Sequence, residues 1–396
     1  MVKKIIIKKK NIKKLSNNIF NLSCLKKKNE RIIKIKIGIT NRKKLKKSFK
    51  FIRLFQKTAV SIPIGARLSK KKLPKSKIFL FVFCICLNVC YIISFMNICP
   101  IIIFTYNRID HLDTLIRSLK KNSLFINSKV IVFSDGPKDE IDKKKIEKIR
   151  IFLKKTLQQH KPEIIERDVN LGLSRNVIGG ITQAFKTYDQ LIILEDDLEV
   201  SPFFLNYMND ALNMYKNVDS VASISGYMYP IEPSKFSNDF FFLNLIESWG
   251  WGTWKRAWKK FEIDSSKLLK EIDTRELVND FNLSSGISYY KMLKDNIKGA
   301  NDSWAIRWYA STFLKNMNTL FPNKSFVRNS GMDNSGENCN YTSVYDTSIN
   351  LEYKNIKKID SFELVSDRLV VKSFFQKVKY KRYIETIINK IKNLAK

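Results

Sequence analysis

From residue 100 onward, unbroken apolar runs of five or six residues alternate with stretches in which apolar positions recur every third or fourth residue. Pro100–Thr105, Lys129–Ser134 and Gln190–Glu195 read as buried strands, and Glu163–Arg167 as a shorter one. Between the first two, Asp110–Lys121 sets Leu112, Leu115, Ile116 and Leu119 on one helical face. Ile141–Gln158 and Leu173–Lys186 are further helices, and Ser201-Pro202 is expected to cap and start a helix over Phe203–Tyr215. Strand and helix alternating through short loops predict an α/β fold: a mainly parallel central sheet, flanked by helices, with right-handed crossovers.

Past residue 220 the pattern is more mixed. Val221–Gly226 and Asp239–Leu245 predict strands, 285–297 and 302–316 helices, and Asn318–Phe321 and Ser325–Val327 short strands. The end of the chain, 375–396, reads as a basic helical tail.

Composition changes the picture mainly at the N-terminus. The chain has 396 residues and a formal net charge of +35, which suggests a nucleic-acid partner. Its distribution argues against one: residues 1–77 hold 27 Lys and Arg against one acid, Glu30, and the remainder is only mildly basic and carries no RNA- or DNA-binding motif. Four of the six cysteines crowd into 84–99, which excludes a disulfide framework and suits small buried hydrophobes. Residues 78–96 are nineteen uncharged residues preceded by Lys75 and Lys77. Read from Met1, they predict a single transmembrane anchor with the N-terminus cytoplasmic. Read from Met96, the protein begins at its globular part and is cytoplasmic or peripheral. The expected organisation is a basic, flexible or poorly packed segment over 1–77, the apolar segment 78–96, a catalytic domain over 98–345 and a basic tail over 346–396.

The chemistry gathers where strands end. Leu191-Ile192-Ile193-Leu194 runs straight into Glu195-Asp196-Asp197. In open α/β sheets ligands bind outside the C-terminal edge of the strands. Three adjacent acids repel one another unless a cation or donor-rich ligand sits among them, and hard carboxylate oxygens suit Mg²⁺ or Mn²⁺. The plain alternative is a solvated acidic loop. The first strand ends in Thr105-Tyr106-Asn107-Arg108 and the second in Ser134-Asp135-Gly136, so a parallel sheet sets all three ends on one edge. There Thr105, Asn107 and Asp135 offer polar groups to a base or ribose, and Arg108 or Arg175 offers a planar fork to a diphosphate. The plain alternative is that Arg108 only caps its helix and Asp135 only shapes a turn.

The stretches PIIIFTYNR, VFSDG, NLGLSRNVIGGITQAF and above all EDDLEVSPFF resemble a GT-A glycosyltransferase, of the N-acetylglucosaminyltransferase I type and the bacterial sugar transferases related to glycosyltransferase family 2. The resemblance covers roughly 98–345. It implies the GT-A fold, a nucleotide-sugar donor (a UDP-sugar, with UDP-N-acetylglucosamine a candidate), a glycan or glycolipid acceptor, Mn²⁺ or Mg²⁺, and inverting transfer. Carried over by position, Glu195 would meet the donor sugar, Asp196 the nucleoside and Asp197 the metal, with Asp135 at the uracil and Thr105 and Arg108 lining the nucleotide pocket.

Inverting transfer also needs a general base on the acceptor hydroxyl. Asn301-Asp302-Ser303-Trp304 matches the family best, so Asp302 is the candidate and Glu247 the runner-up; Asp302 is equally suited to cap the helix that follows. Trp249 and Trp251 in a Gly-Trp-Gly loop suit an acceptor site, since sugar C–H faces pack on aromatic rings, although Trp251, Trp254 and Trp258 also share a helical spacing typical of core. The family's late histidine is replaced by Asn338, and the two histidines of the chain, His111 and His160, fall in its first half. Metal ligands beyond Asp197 would then come from Asp333, Glu337, water or the diphosphate. The competing reading is a catalytically inactive sugar-binding or scaffold protein on the same fold. A nucleotidyltransferase is disfavoured, because no glycine-rich loop follows the first strand.

Overall fold

The computed structural model describes residues 98–285, 287–333, 342–359 and 365–394, of which 382–394 are described as helix only, together with two short strands near the N-terminus. The chain divides into two compact units, Met1–Cys86 and Leu87–Lys396. In the first, β1 (Ser23–Lys27) pairs antiparallel with β2 (Glu30–Lys34), an extended hairpin where the sequence predicted flexible chain or poor helix; β-branched Ile32 and Ile33 favour that form. Residues 78–96 lie outside the described residues. Among the described residues no helix is long and apolar enough to cross a membrane.

The second unit is built on an eight-stranded sheet of order β5-β4-β3-β6-β10-β8-β11-β9. Its parallel half is β3 (Ile101–Thr105), β4 (Val130–Ser134), β5 (Glu163–Glu166) and β6 (Gln190–Glu195). The last three are each reached through a helix: α1 (Ile109–Lys120), α2 (Glu140–Thr156) and α3 (Leu173–Ala184). Beyond β6 lie β10 (Trp251–Trp254), antiparallel to both neighbours, β8 (Val221–Ser225), β11 (Asn318–Pro322) and β9 (Phe240–Leu243). The mainly parallel sheet flanked by helices is the expected fold class.

Side chains alternate between two cores. Ile101, Ile103, Val130, Val132, Ile192 and Leu194 pack on the face of α1 and α2, while Ile102, Phe104, Ile131, Phe133, Leu191 and Ile193 pack on the face of α3. Both faces being covered is why these strands are apolar without interruption.

Several boundaries move. α4 spans Phe204–Tyr215 with Phe203 at its N-cap; Ser201 and Pro202 form the preceding turn, in which Ser201 Oγ accepts from Phe203 N at 3.1 Å. α5 (Lys255–Trp258), α6 (Ser265–Thr274), α7 (Val278–Phe281) and α8 (Tyr289–Ile297) lead to α9, which spans Trp304–Phe313 and is capped by Ser303, whose Oγ accepts from Ile306 N at 3.3 Å, so Asp302 is not its cap. The late strand forms over Val327–Asn329 as β12 and pairs outside the main sheet with β7 (Leu198–Val200). The C-terminal helix, α10, begins at Val365 and runs to Leu394.

Candidate active site at the acidic turn

β6 ends at Glu195, Asp196 and Asp197 turn the chain, and β7 leads away. β3 lies beside β6 with Phe104 opposite Glu195, which brings the Thr105–Arg108 loop over the acids. Thr105 Oγ1 donates to Asp196 Oδ2 at 3.0 Å and Tyr106 N to the same oxygen at 3.2 Å. Arg108 Nη2 donates to Asp196 Oδ1 at 2.7 Å and to Asp197 Oδ2 at 3.0 Å. The loop is pinned on its other side by Asp142 of α2, which accepts from Asn107 Nδ2 at 2.8 Å and from the Tyr106 hydroxyl. Those hydrogen bonds, the Tyr106 hydroxyl first, hold the Asp142 carboxyl below its ordinary value.

Three acids thus face one guanidinium. Burial, then Asp197 and Asp196, push the Glu195 carboxyl up to about 8. Burial and the neighbouring Asp196 also raise that of Asp197, although Arg108 works in the other direction. Burial alone would lower the Arg108 value, but Asp196 and Asp197 outweigh it and keep the guanidinium charged. Glu195 makes no side-chain hydrogen bond among the described residues, and of the Asp197 carboxylate only Oδ2 makes one.

This shortage of positive charge is the test of whether a divalent cation fits. Among the described residues no group of three or more His, Cys, Asp and Glu is arranged to enclose a metal. The donor set instead suits a cation held by one carboxylate and completed by substrate phosphates and water, the usual habit of Mg²⁺. Raised carboxyl values mark the uncompensated charge such an ion would relieve.

Pairing of β12 with β7 brings a late segment onto the same acids. Ser330 donates to the Asp197 carbonyl oxygen from both its N–H, at 2.8 Å, and its Oγ, at 2.9 Å. Gly331 then packs directly on the Asp197 carboxylate. His111, in the first turn of α1, lies 3.1 Å from Ser330 Oγ through Nδ1 and 3.3 Å from Asp333 through Nε2. A cavity of about 740 Å³ opens here, with Arg108, His111, Lys145, Lys148 and Asp333 in its wall. The sequence reading discounted His111 because it is early in the chain. The available signal was position: a residue just past the end of the first strand stands at the sheet's ligand edge. Glu337 and Asn338 lie outside the described residues.

Other expected residues fall elsewhere. Asp135 is 4% exposed, and its carboxylate accepts from Gly136 N, Leu171 N and Gly172 N at 2.9, 2.9 and 3.0 Å. It anchors the loop entering α3 rather than offering a free acceptor to a base. Arg175 is exposed on the rim of a separate groove with Arg167 and Ile165, and it makes no contact with the acids. Trp251, expected at an acceptor site, is 1% exposed and stacks on Trp304 at 5.4 Å, with Trp258 and Trp308 beside it. Its ring belongs to the core on the α3 face and has no surface to give a sugar. Asp302 is 65% exposed and paired with Arg307 at 3.0 Å.

Glu247 and Trp249 differ in this respect. β10 runs antiparallel to β6 with Trp251 opposite Ile193, so the segment entering β10 arrives where β6 ends in the acids. Gly250 makes the bend at φ +64°, beside Leu194 and Val327. Glu247 accepts from the Tyr229 hydroxyl at 2.9 Å and from Ser248 N at 3.0 Å. Burial pushes its carboxyl up to about 7, against the lowering effect of those bonds. Trp249 is partly exposed and meets Tyr227 edge-on at 4.6 Å.

Residues 101–266 match the family described as Glycosyl transferase family 2. No curated protein is similar enough to count as a relative. Solved structures that resemble the chain include GalNAc-T7 with UDP, GalNAc and Mn²⁺ (10% identity, 57% of this chain and 42% of that one, TM-score 0.36). They also include a mannosyltransferase from Pyrobaculum calidifontis with GDP-Man and Mn²⁺ (10% identity, 54% and 73%, TM-score 0.32) and S. aureus TarS (13% identity, 58% and 59%, TM-score 0.36). The chain thus spans under half the length of GalNAc-T7. Overlaps this loose leave the assignment to the family match together with the sheet and its acidic turn. The match falls on the part of the chain that forms β3 to β10, including the acidic turn, and it does not single out the N-acetylglucosaminyltransferase I type.

Proposed function

We propose that the protein is a glycosyltransferase that transfers a sugar, with inversion, from a UDP-sugar to a hydroxyl of a glycan or lipid-linked saccharide, and that it needs a divalent cation. UDP-N-acetylglucosamine is the candidate donor. The observation carrying this reading is the turn at the end of β6, where Asp196 and Asp197 share the Arg108 guanidinium and Glu195 stands beside them without a partner of its own among the described residues. Asp197 would hold Mn²⁺ or Mg²⁺, which when bound stabilises the negative charge that grows on the departing diphosphate.

The chain's own residues supply the remainder. Thr105, Asn107 and Arg108 form the loop that would flank the nucleotide, with Asp196 holding that loop in place. Glu195, at the end of β6 beside Asp196, would meet a hydroxyl of the donor sugar. Glu247 is favoured over Asp302 as general base. Its value of about 7 lets it take a proton near neutral pH, and it stands at the sheet edge, whereas Asp302 is solvated and ion-paired. In the transfer, the acceptor oxygen bonds to the anomeric carbon as the bond from that carbon to the diphosphate oxygen breaks. The hydroxyl proton passes to Glu247, and attack opposite the leaving group inverts the centre. Trp249 offers a ring face to the acceptor sugar.

The test is UDP release by the purified full-length chain over a panel of UDP-sugars and acceptors with Mn²⁺. Asp197→Ala is expected to abolish it, and full activity of that variant in EDTA would overturn the proposal. UDP binding by calorimetry without turnover on any acceptor would favour the sugar-binding or scaffold reading. Attachment through residues 78–96 follows if translation starts at Met1, and a cytoplasmic or peripheral enzyme follows if it starts at Met96; the mass of the mature N-terminal peptide separates the two.

A further inference from the structure

α10, Val365–Leu394, has thirty residues and is therefore about 45 Å long. One of its faces is accounted for. Val371, Phe375 and Val378 are buried, and Phe374 and Phe375 pack on Tyr229 at 5.4 and 4.7 Å. Asp367 is fully buried at the start of the helix and accepts from Ser237 N at 3.1 Å. Continued at the helical period, that inner stripe becomes polar after Val378, at positions 382, 385 and 389.

The outer face behaves in the opposite way. Val365, Leu369 and Tyr380 are 73%, 52% and 71% exposed. At about 100° per residue they share one line along the helix, which exposed Ser373 and Gln376 interrupt, and positions 384, 387, 391 and 394, which carry Ile, Ile, Ile and Leu, fall on its continuation. Lys372, Lys379 and Lys390 follow one border of this stripe and Lys377 and Lys381 the other. Lys372, Lys377, Lys379 and Lys381 have no acidic partner among the described residues. Residues 365–394 carry eight Lys and Arg against two acids, Asp367 and Glu385.

We propose that the outer face of α10 docks on an anionic lipid surface, lying in the plane of the interface with its Leu, Tyr and Ile stripe in the acyl boundary and its lysines among the headgroups. The physical case is the pattern itself. A mainly apolar stripe bordered on both sides by lysines matches a surface apolar below and anionic above, where the long lysine stems let the charges stay at headgroup level. The same borders argue against a second copy of the chain, because self-pairing would oppose lysine to lysine with almost no acid to neutralise it. This differs from the span of 78–96, since α10 would lie on a membrane and not cross it.

The basic segment 1–77 would carry the whole chain to anionic vesicles, so the readout must be local to α10. The full-length protein carries an environment-sensitive fluorescent amino acid at position 387. Phosphatidylcholine vesicles containing phosphatidylglycerol are expected to shift its emission to the blue. Phosphatidylcholine vesicles alone should not, and raising the salt should diminish the shift. Leu369→Asp with Ile391→Asp should remove the shift while UDP binding is unchanged. Co-sedimentation with anionic vesicles without any shift at position 387 overturns the proposal. So does a vesicle-independent shift that grows with protein concentration, which would assign the face to a second copy.

Discussion

Gly331 lies on the carboxylate of Asp197 so closely that a methyl group at position 331 would overlap Oδ2, Cγ and Cβ. The two residues are far apart in sequence, and their contact exists because β12 pairs with β7 and Ser330 binds the Asp197 carbonyl. Gly331→Ala must therefore move the candidate metal ligand or lift the segment covering it. The expected result is a loss of Mn²⁺ affinity in the presence of UDP, read by the electron spin resonance of free Mn²⁺, with a stability cost of about 1–3 kcal/mol. Gly179→Ala is the control: nothing lies within 4 Å of its added methyl, so Mn²⁺ binding should be unchanged. Equal Mn²⁺ binding in both variants would show that Asp197 is not the ligand.

Arg108 is the one guanidinium shared by Asp196 and Asp197, and its side chain is only 20% exposed. Arg108→Ala leaves two largely buried carboxylates without their partner and should cost about 3 kcal/mol or more in urea denaturation. Mn²⁺ with UDP should restore part of that loss, since a cation supplies what the guanidinium did. Arg108→Lys should fall between the two, because an ammonium does not reproduce the planar fork.

The two candidate bases give opposite expectations. Glu247→Gln should lower turnover by about a hundredfold or more while UDP binding is retained, and it should remove the acidic limb of the pH–rate profile near 7. Asp302→Asn should stay within a few-fold of the parent. The reverse order in single-turnover assays would return the role to Asp302.

Trp251 and Trp249 separate core from site in the same way. Trp251→Ala empties a tryptophan cluster and should cost about 3–5 kcal/mol. Trp249→Ala should cost less stability than Trp251→Ala, because the ring is only partly buried, and should raise the KM for the acceptor. A KM effect confined to Trp251 would contradict the burial seen here.

Glu195 sets a pH dependence whose sign follows from its raised value. A carboxyl at about 8 in the folded protein and 4.5 in the unfolded chain binds its proton more tightly when folded. Its contribution to stability is full below about 4.5 and is lost as pH rises to about 8. The metal-free protein should therefore lose more thermal stability over that window than Glu195→Gln does, and Mn²⁺ with UDP should reduce the difference. Parallel curves for parent and variant would show that Glu195 is not desolvated.

Much of this was legible in the sequence. The parallel strands could be read because both their faces are covered, which leaves no polar position to confuse the period. The acids at the end of β6 were legible because a strand's direction fixes which edge its last residues reach. Helix starts were less so. Phe203 and Ser303 take the cap positions in place of Ser201 and Asp302, because local turns compete with side-chain capping when several capping residues lie together.

Sequence alone determined the alternation of strands and helices and the acidic turn at the sheet edge. Each rests on local periodicity or on adjacent residues. Tertiary structure alone decided that Ser330 and Gly331 close over Asp197, that His111 joins them, that Asp135 is consumed by backbone amides and that Trp251 is fully buried while Trp249 keeps part of its surface exposed. Those facts depend on which distant strands pair and which faces are covered, and no local pattern of residues encodes a pairing partner.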